Sequence, residues 1–160
     1  MAASTARDAR RVPTYCYQCV AGPDLLTVKV ENGVATEVSF DVDRERTIDF
    51  MGEAARVYAT PMLVRDIEVA CRNLLLAHLD VGEDSVGTRV EIDHIGATLL
   101  GMAVTLTVRV AEVNGRAVVF EVEGSDAVEP IVRGRHARFV VDVAKTGQRL
   151  AAKAAKARAG

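Results

Sequence analysis

The chain has little that would suit it to bind nucleic acid or to cross a membrane. Aromatic residues make up 4% of its 160 residues and tryptophan is absent, so it lacks the stacking surfaces that bind single-stranded nucleic acid. Its 20 lysines and arginines are offset by 22 aspartates and glutamates, for a net charge of −2, so no excess positive charge is available for phosphate backbones. Apolar runs of about 18 residues are also missing. We therefore expect neither nucleic acid nor a membrane as a partner.

Cysteines and targeting signals are scarce as well. The three cysteines, Cys16, Cys19 and Cys71, are too few and too odd in number for the disulfide framework of a secreted domain. Residues 1–11 lack the apolar core of a secretory signal. Both observations predict a cytoplasmic protein.

The chain does carry clear strand and turn patterns. Hydrophobic residues make up 49% of it, which is enough for one well-filled core. Two Asn-Gly pairs, Asn32-Gly33 and Asn114-Gly115, each separate segments in which apolar and polar residues alternate, a pattern that predicts β-hairpins with primed turns. The predicted strands are residues 27–30, 34–42, 86–95, 104–110, 118–122 and 131–143.

One long helix is predicted, over residues 60–79. Thr60 is a suitable N-cap, and Pro61 suits the first helical position, where a missing N–H costs nothing. One helix with several antiparallel strands predicts an α+β fold in which a curved sheet wraps the helix. Residues 146–160 form a basic tail rich in Ala, Lys and Arg, of which residues 150–158 could be helical.

Glu68 lies where an apolar residue is expected. On a helical wheel it falls inside the widened apolar stripe of the predicted helix, whereas Asp66 and Arg72 lie toward the polar side. A carboxylate in that position must be partnered, protonated or facing a cleft. The alternative interpretation is a surface ion pair between Glu68 and Arg72 at the favourable i,i+4 spacing.

His94 is the second polar side chain in an apolar position. In its strand it continues the face of Val90 and Ile92, because alternate residues of a strand point to one side. It could be a satisfied core or interface histidine. If it shares a cleft with Glu68, the acid and the imidazole could instead divide the work of proton transfer.

These residues belong to a stretch that is similar to known enzymes. It begins at Ala59-Thr60, includes Glu68, continues through Gly82-Glu83-Asp84-Ser85-Val86-Gly87-Thr88 and ends its strand at His94. It resembles the hotdog-fold thioesterases of the fluoroacetyl-CoA thioesterase-like family, over about residues 38–145. The resemblance implies a hotdog fold, hydrolysis of a small or medium acyl-CoA without a cofactor, and a homodimer with active sites between its subunits.

The resemblance also implies site residues. Thr60, Glu68 and His94 correspond to the catalytic positions, and the backbone N–H of Gly87 would help to hold the thioester carbonyl. Glu68 would act as nucleophile or as base toward water, His94 would transfer protons, and Thr60 would orient water or attack directly. Without the resemblance, Thr60 is simply a helix cap and Gly87 a backbone bend before a strand.

Two segments could contact the substrate. Residues 49–58 are shorter than the aromatic-bearing lid of the fluoroacetyl-specific enzyme, so fluoroacetyl specificity is not expected. In this segment Phe50 and Tyr58 either line an acyl pocket or are ordinary packing residues. Arg135 and His136 lie in a basic run over residues 133–138 that either contacts the phosphates of CoA or is a solvated strand edge.

The N-terminal segment resembles a different protein family. The segment around Cys16 and Cys19 resembles the N-terminus of molybdopterin oxidoreductases, but the pattern stops after one Cys-x-x-Cys. An iron–sulfur cluster needs four thiolates, and two cysteines do not complete a tetrahedral zinc site. We expect no metal within one chain and a hairpin that docks a partner protein, while a redox dithiol or a metal shared across a dimer stays open.

The sequence thus predicts three parts and one main function. Residues 1–33 form an extension with the Cys-x-x-Cys hairpin, residues 34–145 a hotdog thioesterase-like domain, and residues 146–160 the basic tail. Two other functions stay open. One is a non-catalytic module for acyl-CoA binding or docking, and the other is an enoyl-CoA hydratase or dehydratase with the same fold.

Overall fold

The computed structural model describes residues 28–159. The part of the chain that it describes contains five strands and two α-helices, and two short 3-10 turns, Arg44–Arg46 and Glu53–Ala55, precede the first α-helix. In chain order the main elements are β1 (Ala35–Asp41), α1 (Thr60–Leu76), β2 (Glu83–His94), β3 (Ala103–Asn114), β4 (Ala117–Asp126), β5 (Pro130–Asp142) and α2 (Val143–Ala159). The predicted α+β class is confirmed.

The strands form one antiparallel sheet in the order β1-β3-β4-β5-β2, with α1 packed on one face. Strict alternation in β3 turns Val104, Leu106, Val108 and Val110 inward, and all four are buried. Buried apolar residues of α1 complete the core, among them Leu63, Ile67 and Leu75. Each such side chain contributes about 1.5–3 kcal/mol of hydrophobic free energy.

The two Asn-Gly pairs have different outcomes. The pair at Asn114-Gly115 closes the β3–β4 hairpin, with Asn114 opposite Ala117 and Gly115 at a φ of 59°, which glycine adopts without strain. The pair at Asn32-Gly33 does not close a hairpin within the described residues, because residues 28–30 form no strand and β1 pairs with β3 instead. The predicted strand over residues 27–30 is therefore wrong for residues 28–30, which are the part of it that the structure describes. Cys16 and Cys19 lie outside the described residues, and their docking role stays a prediction.

Helix α1 differs from the prediction at both ends. It ends at Leu76 instead of residue 79, and its N-cap is Ala59, with no side-chain capping bond. Thr60 is therefore the first helical residue and not the N-cap, and Pro61 follows it. Because the Thr60 hydroxyl does not cap the helix, it can bond to a group outside the helix.

A β-bulge in β2 decides which residues face the helix. Gly87 pairs with Arg138 and Arg89 with Ala137, so Thr88 is an extra residue without a partner in the register. One extra residue reverses the alternation of a strand. Gly87 before the bulge and His94 after it consequently share the helix-facing side, and the predicted face of His94 is confirmed by the register.

The basic tail is more regular than predicted. Helix α2 covers Val143–Ala159 and is exposed along its length. It starts directly after β5, where the Asp142 carboxylate accepts a hydrogen bond of 2.9 Å from the backbone N–H of Lys145. Neither α1 nor α2 is long and apolar enough to span a membrane.

A pair of glycine substitutions tests the packing of the sheet. A Cβ at Gly134 would lie 2.2 Å from the backbone oxygen of Glu91 and 2.7 Å from Cα of Ile92, so β2 and β5 would have to separate. We expect Gly134→Ala to lower the free energy of unfolding by about 1–3 kcal/mol, measured by urea denaturation.

The matched control is the same substitution in an open position. A Cβ at Gly147 of α2 would meet nothing within 4 Å, so Gly147→Ala should leave stability unchanged or raise it by up to about 1 kcal/mol. Equal effects at both positions would contradict the described register.

Candidate active site

A threonine and a histidine meet at the start of α1. Thr60 lies in the first turn of that helix and His94 is the last residue of β2. Their side chains are joined by a hydrogen bond of 2.9 Å between Oγ1 of Thr60 and Nδ1 of His94. If the Thr60 hydroxyl capped α1, it would not be available for this hydrogen bond.

The imidazole of His94 sits in a partly dry environment. Burial lowers its pKa below the ordinary value of 6.5, and a hydrogen bond with the backbone of Gly96 opposes this. The ring packs edge-on against Tyr58, with 6.2 Å between centroids. The second nitrogen, Nε2, is buried without a hydrogen-bond partner among the described residues. His94 is therefore neutral near pH 7, with one nitrogen bonded to Thr60 and the other able to exchange a proton with a further group.

Both residues line a cleft of about 410 Å³. Phe50 is 80% exposed at this cleft, whereas Tyr58 is buried and donates its hydroxyl to Asp66. The structure thus brings four of the predicted site residues to one cleft. The full lining is Ile48, Phe50, Val57, Tyr58, Thr60, His94, Ile95, Gly96 and Ala97.

Glu68 belongs to a second cluster. Its Oε1 lies 3.8 Å from Nε2 of His136 and 4.0 Å from Nη1 of Arg138, and its side chain is 42% exposed. Gly87 makes room for it, because a Cβ there would lie 2.1 Å from Oε1 of Glu68. The alternative ion pair between Glu68 and Arg72 is wrong, since Arg72 bonds to Asp84 at 2.9 Å.

His136 and Arg138 are buried in the wall behind Glu68. The ring of His136 is fully buried, with Nδ1 2.9 Å from the backbone oxygen of Arg89 and Nε2 3.2 Å from Nη1 of Arg138. Burial lowers its pKa. Arg138 donates to both the hydroxyl and the carbonyl of Ser85. His136 is therefore a satisfied core histidine.

The predicted contact between the basic run and CoA phosphates is ruled out here only for His136, and for Arg135 it stays a prediction. His136 is too deeply buried to touch a phosphate at the surface. Arg135, one residue earlier in β5, points to the opposite face, where it is exposed and lies 3.5 Å from Glu121. Alternation along the strand splits the run between two faces, so residues 133–138 do not form one phosphate-binding surface.

Within one chain the two clusters stay apart. Thr60 and Glu68 are eight residues apart on α1, or about 12 Å along its axis. Among the described contacts Glu68 has no hydrogen bond or ion pair with Thr60 or His94. The structure therefore brings Thr60 to His94 and Glu68 to Gly87, but does not join the two pairs in one copy.

Asp66 is a site residue that the sequence analysis missed. It was assigned to the polar side of α1, but it is buried, and its carboxylate accepts hydrogen bonds from the Tyr58 hydroxyl at 2.7 Å and from Nε of Arg46 at 2.8 Å. Its neighbours at i−3 and i+4, Leu63 and Ala70, are both core residues. That spacing was the available signal for its burial.

Metal ligands are not clustered in the described part of the chain. No group of three or more His, Cys, Asp or Glu side chains there could hold a metal ion.

Fold and site together define a class of protein. An antiparallel sheet around one long helix is the arrangement of the hotdog fold. A family model described as fluoroacetyl-CoA-specific thioesterase matches residues 42–144. The chain belongs to this family.

Individual relatives agree with that membership. The fluoroacetyl-CoA thioesterase of Streptantibioticus cattleyicolor is 36% identical over 93 residues, which are 58% of this chain and 67% of that protein. A solved structure of the fluoroacetyl-CoA thioesterase FlK superposes with a TM-score of 0.72 at 29% identity, covering 78% of this chain and 97% of the other. A thioesterase superfamily member from Thermus thermophilus reaches 0.75 at 27% identity, covering 81% and 97%. The predicted hotdog fold and thioesterase class are confirmed.

The two buried histidines predict an acid-sensitive fold. The pKa values of His94 and His136 are lowered by burial in the folded protein, so the unfolded chain binds protons more readily. Stability is therefore complete above about pH 6.5 and falls as the pH drops through the folded pKa, by up to about 1.4 kcal/mol per pH unit for each histidine. Urea denaturation at neutral pH and at a series of pH values below about 6.5 measures this loss.

Substitution of His136 tests whether this histidine causes the loss of stability at acid pH. His136→Gln should make the fall in stability between neutral and acid pH shallower than in the unaltered chain. An unchanged pH dependence in the His136→Gln protein would show that this ring is not held neutral.

Proposed function

We propose that this protein hydrolyses small or medium acyl-CoA thioesters to the carboxylic acid and free CoA. The observation that carries the proposal is the 2.9 Å bond between Thr60 and His94 at the mouth of an acyl-sized cleft, in a chain of a thioesterase family. A cleft of about 410 Å³ falls within the range of small-molecule sites. The reaction needs only water besides the thioester, so we propose no cofactor.

The chemistry requires an attacking water, a proton acceptor and a proton donor. Glu68 accepts a proton as water adds to the carbonyl carbon, and the backbone N–H of Gly87 binds the oxygen that becomes negative. The carbon–sulfur bond then breaks as the carbonyl reforms. His94 relays the proton from Glu68 to the departing CoA sulfur, so that Glu68 is again a carboxylate and His94 is again neutral. Thr60 holds the imidazole through Nδ1 and orients the water. In the alternative route Glu68 or Thr60 attacks directly and water hydrolyses the acyl-enzyme.

We further propose that the active protein is a homodimer that pairs through β2. This strand of 12 residues lies at the edge of the sheet, and it leaves Val86 41% and Val90 37% exposed. A long edge strand with exposed apolar residues is a template for pairing with another strand. Twofold symmetry makes such pairing self-complementary.

Pairing through β2 would also complete the site. In an antiparallel pair, the Gly87 half of one strand lies beside the His94 end of the other. Glu68 stands over Gly87, so the carboxylate of the second copy would approach the Thr60–His94 pair. The separation of the two clusters within one chain is the support for this arrangement.

Substitution of the three reacting side chains tests the proposed hydrolysis. Release of CoA thiol from a panel of acyl-CoAs should fall about 10²–10⁴-fold in Glu68→Gln and His94→Ala, and less in Thr60→Ser, which keeps the hydroxyl. The control Glu112→Gln lies on β3, where Glu112 is exposed and away from the β2 edge, and should retain full activity.

The same panel separates the competing functions. Loss of the ultraviolet signal of an enoyl thioester without thiol release would instead show a hydratase. Measurable binding without any turnover would show a non-catalytic module. Wild-type rates in Glu68→Gln or His94→Ala would remove those side chains from the mechanism.

A charge on the β2 edge tests the dimer. Val90→Lys places a positive charge at the exposed edge and should convert the protein to a monomer by light scattering, with loss of thiol release. Leu150→Lys on α2, where the leucine is also exposed, is the matched control and should stay dimeric. A monomeric wild-type protein with full activity would refute both the dimer and the shared site.

A further inference from the structure

The carboxylate of Asp66, on α1, is hydrogen-bonded to two residues of the segment between β1 and α1. It accepts 2.7 Å and 2.8 Å hydrogen bonds from the Tyr58 hydroxyl and from Nε of Arg46. The side chain of Asp66 is 9% exposed and that of Arg46 is 22% exposed. Hydrogen bonds that involve a charged group in a dry setting are among the stronger ones. The described roles of Thr60, Glu68 and His94 do not use this carboxylate.

The segment that Asp66 holds forms a wall of the cleft. We call residues 42–59, between β1 and α1, the strap. Arg46 and Tyr58 belong to it, and Ala59 donates its backbone N–H to the backbone oxygen of Arg46 at 2.8 Å. Because Asp66 lies on α1, its two hydrogen bonds tie both ends of the strap to the helix that carries Thr60.

Tyr58 connects Asp66 to the imidazole of His94. Its ring packs edge-on against His94 and against Phe40, with 6.2 Å between centroids in each case. Its hydroxyl is committed to Asp66, and burial together with that carboxylate raises its pKa. Tyr58 therefore acts here as a protonated donor whose ring orientation depends on Asp66.

We propose that Asp66 is a positioning residue: through the Tyr58 hydroxyl it holds the strap and the Tyr58 ring against His94, and so keeps water from the imidazole and sets the depth of the acyl cleft. The proposed effect of Asp66 on acyl-chain preference rests on the proposed thioesterase function. Its proposed effect on the pKa of His94 does not.

Within one copy, the groups around His94 leave few other causes for a change in its pKa. In the proposed dimer the Glu68 carboxylate of the second copy would also approach the ring, and it is present alike in the wild type and in the Asp66 and Tyr58 variants. Thr60 faces it from α1, Tyr58 from the strap, and Val132 is its partner on β5. The nearest charged residue on its own strand, Asp93, points to the other face and lies 3.4 Å from Arg133. Burial is the main cause of the lowered His94 pKa, so entry of water should raise it.

The experiment follows His94 by proton NMR titration of the full chain, with the resonance assigned from a His94→Ala protein. Asp66→Leu and Tyr58→Phe should each raise the apparent pKa of His94 by about half a pH unit or more. The double variant should add little to either, because both substitutions break the same hydrogen bond. Asp66→Asn keeps an oxygen for the Tyr58 hydroxyl and should stay near the wild-type value.

Activity supplies the second measurement. In Asp66→Leu and Tyr58→Phe the preference between a short and a longer acyl-CoA, as a ratio of kcat/KM, should shrink several-fold because the cleft wall is loosened. The control Arg72→Met breaks the ion pair with Asp84 on the same helix, away from the cleft, and should alter neither the titration nor the preference.

The measurements distinguish a folding defect, failure of the positioning role and failure of the proposed function. If Asp66→Leu does not fold, as judged by circular dichroism, Tyr58→Phe still tests the proposal, because it removes only one oxygen. An unchanged His94 titration in Tyr58→Phe would overturn the proposal, and so would an equal shift in Asp66→Asn and Asp66→Leu. If wild-type protein hydrolyses no acyl-CoA but its His94 titration responds as expected, the proposed function fails and the positioning role stands.

Discussion

The hydrogen bond between Thr60 and His94 is the contact on which the rest of the site depends. It joins the first turn of α1 to the end of β2, and both ends need special local structure. The threonine hydroxyl is available because Ala59, and not Thr60, is the N-cap. The histidine faces the helix because the extra residue Thr88 reverses the alternation of β2 after Gly87. Without that bulge, His94 would lie on the outer face of the sheet.

The second constraint is the separation of acid and imidazole. Helix geometry puts Thr60 and Glu68 about 12 Å apart, and Glu68 is held beside Gly87 with His136 and Arg138 behind it. The backbone carbonyl of Glu68 itself accepts a hydrogen bond from Arg138. A single copy thus presents two half-sites, each fixed by buried groups. In the proposed dimer, two copies related by a twofold axis perpendicular to β2 would bring opposite halves together.

The sequence predicted those features that depend on local pattern. The Asn114-Gly115 hairpin and the face of His94 follow from turn chemistry and alternation, and the resemblance supplied the fold. Features that depend on pairing partners were not predictable in this way. Residues 28–30 have the strand pattern, but β1 pairs with β3, and Arg72 bonds to Asp84 across the fold and not to Glu68. The burial of Asp66 could have been inferred from its spacing to Leu63 and Ala70, but the hydrogen bonds that satisfy its carboxylate could not, because Arg46 and Tyr58 are tertiary contacts.

The most direct measurement mixes two inactive proteins, His94→Ala and Glu68→Gln, unfolds them together and refolds them. If each active site combines Thr60 and His94 of one copy with Glu68 of the other, random pairing makes half of the dimers mixed, and each mixed dimer has one intact site. Thiol release from acyl-CoA should then return to about one quarter of the wild-type rate. Recovery of no activity after mixing, from proteins shown to form mixed dimers, would contradict the shared site.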